Sequence, residues 1–379
     1  MKVAVIGGKL QGVEVTYLAK CAGYTVGVLD KRTDAQAFGM ADKEYVIDLV
    51  KEQERAADIL KEYDVVIPAM ENLEVLDVIL AIGKKQKLPV LFDRDAYEIS
   101  SSKQVSNQLF QKLQLSMPGT YPNCSYPVIV KPDNQSGSSG VKMCYSEEEA
   151  EKYLQTLPKD TVVQEYVEGR SFSLEVIGNG TQFVFPQITE VVVDKEYDCK
   201  RIVAPAQLEE KEAKQLFDMG EKLAEALKIK GIFDIEVICH NGTLKILEID
   251  ARVPSQTPIS VYHSTGFNMI EAMIQLAFGK PVDSEIKAKQ VVCYQQIVVT
   301  GQEVRVLGEH VMGQCKRLHR KEGFFGALDA ITDYEPGKEQ FSAIVVTAED
   351  TQEAAYEQFV NCIKQISEAV GRTLTLIEG

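Results

Sequence analysis

The first hundred residues alternate between two patterns. Short, nearly continuous apolar runs at 2–6, 24–29, 44–47, 64–68 and 89–92 predict buried strands. Between them, apolar positions at helical spacing over 11–22, 52–62 and 72–87 predict helices. Strand and helix in strict alternation predict a parallel, doubly wound sheet. A further helical pattern covers 102–113, opened by Ser100-Ser101-Ser102, residues suited to cap a helix N-terminus. From 127 to 200 the period is mostly two, broken by a helical stretch near 147–155. A long amphipathic helix is predicted over 208–228. It is followed by alternating strands at 232–239 and 243–250, with His240-Asn241-Gly242 between them as a hairpin signal. Beyond 285 strands return, with a last helix near 351–370. The chain shows no internal repeat and no low-complexity segment.

Composition narrows the class. A chain of 379 residues exceeds what one core serves, which predicts two or three domains. The division expected is 1–96, 97–182 and 183–379. No apolar run approaches a membrane span, and Met1-Lys2 leads straight into a strand, so neither a transmembrane helix nor a signal peptide is expected. Eight cysteines without a C-x-x-C pair suit reduced thiols in a cytoplasmic protein. Four histidines without ligand spacing argue against zinc. A net charge of −15 argues against a nucleic-acid partner, because phosphate requires a basic face. Homo-oligomerisation is left open.

The segment Gly7-Gly8-Lys9-Leu10-Gln11-Gly12 follows the first strand, and Asp30 ends the second. That is the setting of a dinucleotide cradle. The fingerprint, however, needs glycine where Lys9 stands, because there the backbone must approach a pyrophosphate. Lys9 therefore argues against a nicotinamide site and a dehydrogenase, though not against the βαβ fold.

Three other stretches carry chemistry. Val128 to Lys131 is a strand ending in a lysine, and the small-residue loop Ser136-Gly137-Ser138-Ser139-Gly140 comes shortly after it. Such a loop can lay backbone N–H groups over phosphate while the lysine supplies charge. Gln164-Glu165-Tyr166-Val167-Glu168 runs from a strand into a polar, then apolar segment, able to meet a base edge. Finally, Glu248 and Asp250 stand two apart on one strand and so share a face, within reach of Glu236 across the hairpin. Carboxylates so placed repel unless cations neutralise them, and Mg²⁺ is the natural hard cation. Arg252 follows two residues on, able to grip an anion.

Lys103, Lys131, the small-residue loop, the Gln164–Val167 hinge, and Glu236, Glu248, Asp250 and Arg252, in that order, resemble the ATP-grasp ligases along the whole chain. The resemblance implies an α/β (α+β) ATP-grasp fold. The opening glycine-rich turn then belongs to an N-terminal Rossmann-like pre-ATP-grasp domain that helps bind substrate. A finer resemblance rests on Gly7 to Gly12, Met70-Glu71-Asn72-Leu73, Leu91-Phe92-Asp93, Tyr197-Asp198-Cys199 and the run Glu248 to Pro258, in which Asp250 stands where other ATP-grasp families usually have Asn. These look like the family of pyrrolysine-biosynthesis ligases that join 3-methylornithine to L-lysine.

The resemblance implies roles residue by residue. Lys103 and Lys131 meet ATP phosphates, Ser136 to Gly140 close over them, and Gln164, Glu165, Tyr166, Val167 and Glu168 hold adenine and ribose. The family's usual ribose-binding Glu is replaced here by Ser171. Glu236, Glu248 and Asp250 ligate two Mg²⁺ ions, and Arg252 stabilises the anionic intermediate. A cationic diamino-acid substrate needs carboxylates and carbonyls, so Lys9, Leu10, Gln11, Glu14, Glu71, Asn72, Asp93, Asp198, Ser255, Gln256 and Thr257 are the substrate candidates, with Asp234 as a base. Other readings are an ATP-grasp ligase of the D-alanine or purine type, or a nucleotide-binding regulator without turnover.

Overall fold

In the computed structural model, which describes residues 1–134, 140–157, 160–195 and 197–378, four strands form the N-terminal parallel sheet. They are β1 (Lys2–Ile6), β2 (Thr25–Asp30), β3 (Lys43–Val46) and β4 (Val65–Pro68), in the order β3-β2-β1-β4. The apolar runs of β1, β2 and β4 are buried because helices cover the sheet: α1 (Leu10–Cys21), α2 (Gln53–Leu60) and α3 (Leu73–Gln86); β3, expected to be buried, is an exposed edge strand. The expected fifth strand at 89–92 is a single parallel bridge, Val66 to Val90. It stops because Asp93 immediately caps an unforeseen helix, α4 (Arg94–Ser100), by accepting from Ala96 N at 3.0 Å. Helix α5 (Lys103–Lys112) starts as its serines predict, with Ser102 Oγ accepting from Val105 N.

A small antiparallel sheet follows, ordered β6-β5-β7, from β5 (Val128–Pro132), β6 (Lys142–Cys144) and β7 (Thr161–Glu165), with α6 (Glu147–Leu154) against it. The rest is organised by a large sheet. Its strands include β8 (Arg170–Asn179), β9 (Phe183–Val184), β10 (Ile188–Val193), β11 (Cys199–Ala204), β12 (Lys230–His240), β13 (Thr243–Asp250) and β14 (Val291–Thr300). The central order is β13-β12-β8-β10-β11-β14, continuing through Phe341–Glu349, Asp329–Thr332 and His319–Glu322. Helix α7 (Glu210–Leu227) packs on β8 and β13. Asn241 and Gly242 both take positive φ (51° and 73°), the backbone of a two-residue hairpin whose twist matches its strands.

Two helices without a sequence-based expectation, α8 (Thr257–Thr265) and α9 (Met269–Ala277), join the N-terminal sheet to the large one. Val13, Val15 and Leu18 of α1 share a core with Ile259, Val261, Met273 and Ile274. This interlock seats the glycine-rich turn beside the end of β13.

Candidate active site

The opening turn is shaped by packing. Gly7 has φ +95°, and a Cβ there would lie 2.7 Å from the Ala69 carbonyl oxygen; a Cβ on Gly12 would lie 2.1 Å from the Gly7 carbonyl oxygen. Asp30, where a ribose-binding acid would stand, accepts from Gly8 N at 2.8 Å and from the Arg32 guanidinium at 3.0 and 3.1 Å. Burial pushes its carboxyl up, but these donors outweigh that and hold it low.

The register of the large sheet builds the chemical centre. Across β8, β12 and β13, Glu175, Asp234 and Asp250 stand opposite one another in one row, and Ser173, Glu236 and Glu248 in the next. Directly opposed residues share a face, so five carboxylates line one surface. The other face is apolar: Leu174, Ile235 and Ile249 are buried, each worth ~1.5–3 kcal/mol. Burial, then repulsion from Glu248 and Asp250, pushes Glu236 up to about 8. Burial raises Asp250 to about 6 against the pull of Arg252. Asp234 rises well above the carboxylate range through burial and the Asp250 charge.

Cations gather on the β13 side. Lys103 Nζ lies 3.5 Å from Glu248, and Arg252 Nη2 lies 3.0 Å from Asp250. Lys131, at the end of β5, feels Glu248 and Glu236, while burial pulls its ammonium below the usual range. Asp133 positions Lys103: its Oδ1 accepts from Gln104 N at 2.8 Å and its Oδ2 from Ser102 Oγ at 2.8 Å, tying α5 to the end of β5. Arg252 Nε also lies 2.8 Å from Glu71, which accepts from Gln11 Nε2 at 2.9 Å. A chain Gln11–Glu71–Arg252–Asp250 thus links the N-terminal sheet to the large one. Burial disfavours charge on Arg252, yet Asp250 and Glu71 prevail and raise its pKa.

Among the sequence candidates, the structure brings together Lys103, Lys131, Asp234, Glu236, Glu248, Asp250, Arg252, Glu71 and Gln11. Ser255 and Gln256 are nearby, both donating to Glu309 (2.6 and 3.3 Å), and Thr257 opens α8 beside Glu175. Others are spent on structure. Asn72 caps α3 through Val75 N, and Asp93, besides capping α4, accepts from Lys230 N at 2.9 Å. Glu14 is fully buried: Oε1 accepts from Gln256 N (3.0 Å) and Tyr294 Oη (3.2 Å), and Oε2 from Ile259 N (2.9 Å). It therefore caps α8 from another helix, with burial holding its pKa at about 8. Lys9 is exposed, Leu10 half-buried, and Asp198 buried against Gly308. In the hinge, Gln164 and Val167 are buried, and Glu165 N and Tyr166 N donate to Gly119 O and Pro127 O. The Glu165 carboxylate is held by Lys245 at 2.8 Å and Gly119 N at 3.0 Å. Glu168 is exposed and gives its carbonyl to His240. Gly140, at φ +72°, is described; Ser136, Gly137, Ser138 and Ser139 lie outside the described residues.

Glu175 and Glu309 escaped the sequence reading. The signal for Glu175 was present in Phe172-Ser173-Leu174-Glu175-Val176, where polar residues alternate with apolar ones. Glu309 follows a loop without periodicity, and nothing in the sequence marks it.

Among the described residues, no three of His, Cys, Asp or Glu are arranged to hold a metal ion as they stand. The expected threefold convergence is instead a set of opposed pairs, partly neutralised by Lys103 and Arg252. The donor chemistry nonetheless fits a hard divalent cation: every donor is a carboxylate oxygen, and Asp234 Oδ1 is buried without a hydrogen-bond partner.

An apolar-backed acidic sheet face, two lysines arriving from a small sheet and a lead-in helix, and a linked N-terminal βα unit define an ATP-grasp architecture, and the ATP-grasp domain family matches residues 100–256. Solved structures agree on the fold. N5-carboxyaminoimidazole ribonucleotide synthetase in complex with ADP aligns with a TM-score of 0.74 at 17% identity, covering 97% of each chain. The L-amino acid ligase from Bacillus licheniformis aligns at 0.71 and 18%, covering 96% of this chain and 97% of its own. The 3-methyl-D-ornithine–L-lysine ligase of Methanosarcina acetivorans is 40% identical over 286 residues, 75% of each chain. This chain belongs to that ligase family. It is an ADP-forming ATP-grasp carboxylate–amine ligase acting on small molecules, and ATP-grasp enzymes in general use ATP and Mg²⁺. Among the described residues, no helix is long and apolar enough to cross a membrane.

Proposed function

We propose that the protein joins the carboxylate of 3-methyl-D-ornithine to the ε-amine of L-lysine through an acyl-phosphate, a step of pyrrolysine biosynthesis in the cytoplasm. Residues 1–96 serve as the pre-ATP-grasp domain, 97–182 as the small lobe with its lead-in helix, and 183–379 as the large lobe with its extension. The observation that carries the reading is the row of carboxylates, buried at Asp234 and half-buried at Glu236, Glu248 and Asp250, faced by Lys103, Lys131 and Arg252, in a chain 40% identical to a ligase of that name.

A carboxylate and an amine do not condense unaided, so the acid is first activated. Its oxygen takes the γ-phosphoryl group of ATP, with ADP leaving, and Lys103 and Lys131 meet the phosphate charge. Glu236, Glu248 and Asp250 would hold Mg²⁺, two ions in this reading, which supplies charge neutralisation to the phosphates. The lysine ε-amine, with an ordinary pKa of about 10.4, must lose a proton before it attacks the acyl carbon. Asp234, whose carboxyl burial and the Asp250 charge push well above the ordinary carboxylate range, is the candidate proton acceptor. Attack places charge on the tetrahedral centre, which Arg252 meets, and its collapse to the amide breaks the C–O bond and releases phosphate. Incubation with ATP, Mg²⁺, L-lysine and a panel of diamino acids tests this: ADP, phosphate and the dipeptide mass are expected. Release of AMP with pyrophosphate would sink the acyl-phosphate route, and a different preferred acid would favour a D-alanine-type or purine-type ligase.

A further inference from the structure

The face that carries the carboxylates continues one row toward the hinge. Two residues before Ser173 on β8, ~6.6 Å along the strand, comes Ser171, paired with Ile238 of β12 and Val191 of β10; Lys245 of β13 stands opposite Ile238. These four positions include no carboxylate. Ile238 is buried, and Ser171 and Val191 are half-buried. The Lys245–Glu165 ion pair, at 2.8 Å, sets the hinge over the β13 end of the row. Two acids close by in sequence face away. Arg170 and Cys239 oppose each other one residue on, hence on the reverse face, where Cys239 Sγ donates to Glu212 of α7 at 3.4 Å. Glu168 lines a groove of about 490 Å³ with these two residues and His240, and its carbonyl accepts from His240 Nδ1 at 2.7 Å. Glu190 of β10 also stands on the reverse face, paired with Arg170 at 2.6 Å.

With adenine at the hinge and the phosphates over the Glu236–Glu248 row, the ribose that joins them crosses the row between. We infer that the ribose rests on Ser171, Ile238 and Val191, a floor offering one neutral hydroxyl and no charged acceptor, and that the protein therefore takes 2′-deoxy and 3′-deoxy adenine nucleotides nearly as well as the ribonucleotide; this rests on the ligase reading above. Glu165 does not fill the gap, because its carboxylate is drawn to Lys245 and Gly119 N. The physical reason is what each hydroxyl leaves behind. When a ribose hydroxyl bound by a desolvated carboxylate is removed, a charge is stranded. A hydroxyl over a largely apolar floor keeps its hydrogen bonds with water, and its loss strands nothing. Recognition then falls on the base and the phosphates.

The test needs no turnover. Calorimetry in the presence of Mg²⁺ compares ADP, 2′-deoxy-ADP and 3′-deoxy-ADP on the wild-type protein and on Ser171→Glu, which sets a carboxylate in the row. On the wild type the three Kd values should agree within roughly threefold, the loss of at most one neutral hydrogen bond. On Ser171→Glu, at least one deoxy nucleotide should bind about tenfold or more weakly than ADP, the worth of a bond to a charged acceptor. Discrimination of tenfold or more by the wild type would overturn the inference, as would a Ser171→Glu protein, shown folded by thermal melt, that stays indifferent. Should Ser171→Glu fail to fold, the wild-type comparison decides alone. Indifferent binding of the three nucleotides without dipeptide formation from ATP would uphold the ribose floor and sink the ligase reading. Failure of the wild type to bind ADP would overturn both.

Discussion

Two buried glutamates, Glu14 and Glu175, sit on neighbouring elements and are treated oppositely. Glu14 has every lone pair it needs answered: two backbone N–H groups at the start of α8 and the Tyr294 hydroxyl. Glu175 receives the side-chain hydroxyl of Ser173 at 3.1 Å, with the Thr257 hydroxyl beside it. Both are raised by burial, to about 8 and about 7, so pKa alone does not separate them. The partner count does. A satisfied acid welds the helix that begins after the Arg252 loop to α1 of the N-terminal sheet. The other is held by side-chain hydroxyls alone and caps no helix.

The comparison breaks first at the reacting centre. Asp250→Ala and Arg252→Ala should each lower turnover a hundredfold or more, since one preorganised electrostatic contact is worth ~3 kcal/mol. Arg252→Ala should hurt turnover more than ATP affinity, because the charge it meets appears after phosphoryl transfer. Arg252→Lys should restore little, a point charge being unable to bridge Asp250 and Glu71 as the planar fork does. Steady-state kinetics with ATP binding, on variants shown folded by thermal melt, decides this; near-normal turnover in Arg252→Ala would refute its role.

Glu14→Ala should act on stability instead. It orphans two buried amides and a phenol, at ~1–3 kcal/mol each, so a loss of about 3 kcal/mol or more is expected in urea unfolding. Glu175→Gln, which keeps the shape of a side chain that no backbone amide depends on, should lose little. Similar losses for the two variants would erase the distinction drawn between them.

Smaller effects should appear with pH. Glu14, Glu175 and Glu236 titrate near 8, 7 and 8 when folded against 4.5 otherwise, and Asp250 near 6 against 3.8. Above the unfolded values the native state binds more protons, so stability is greatest below about pH 4.5 for these groups and falls as pH rises toward 8. Tm measured across that window should decline with pH, and the decline should be shallower with Mg²⁺ and ADP present. A Tm that rose from pH 5 to 8 would contradict the assigned shifts. The least effect belongs to Lys9: it begins α1 without a side-chain cap bond, so Lys9→Ala should change stability by no more than ~0.5 kcal/mol. Titration with NAD should give no saturable binding, since Asp30 is already committed to Gly8 and Arg32.

Much of the architecture was legible in the chain. The strand–helix alternation of the first hundred residues, the Asn-Gly hairpin and the pairing of Glu236, Glu248 and Asp250 on one sheet face follow from periods of 3.6 and 2, which are local properties of the backbone. Those periods place Glu248 and Asp250 together whatever the rest of the molecule does. What they cannot say is which strand lies beside β12. That neighbour is β8, some sixty residues earlier, and the pairing alone brings Glu175 into the row. Nor can they tell a capping residue from a ligand: Asn72, Asp93 and Glu14 have the chemistry of a cationic subsite, but their partners are backbone amides, two of the three drawing on distant elements. A carboxylate's role depends on which donors arrive beside it, and donors from elsewhere in the chain are placed only when the sheets and helices pack.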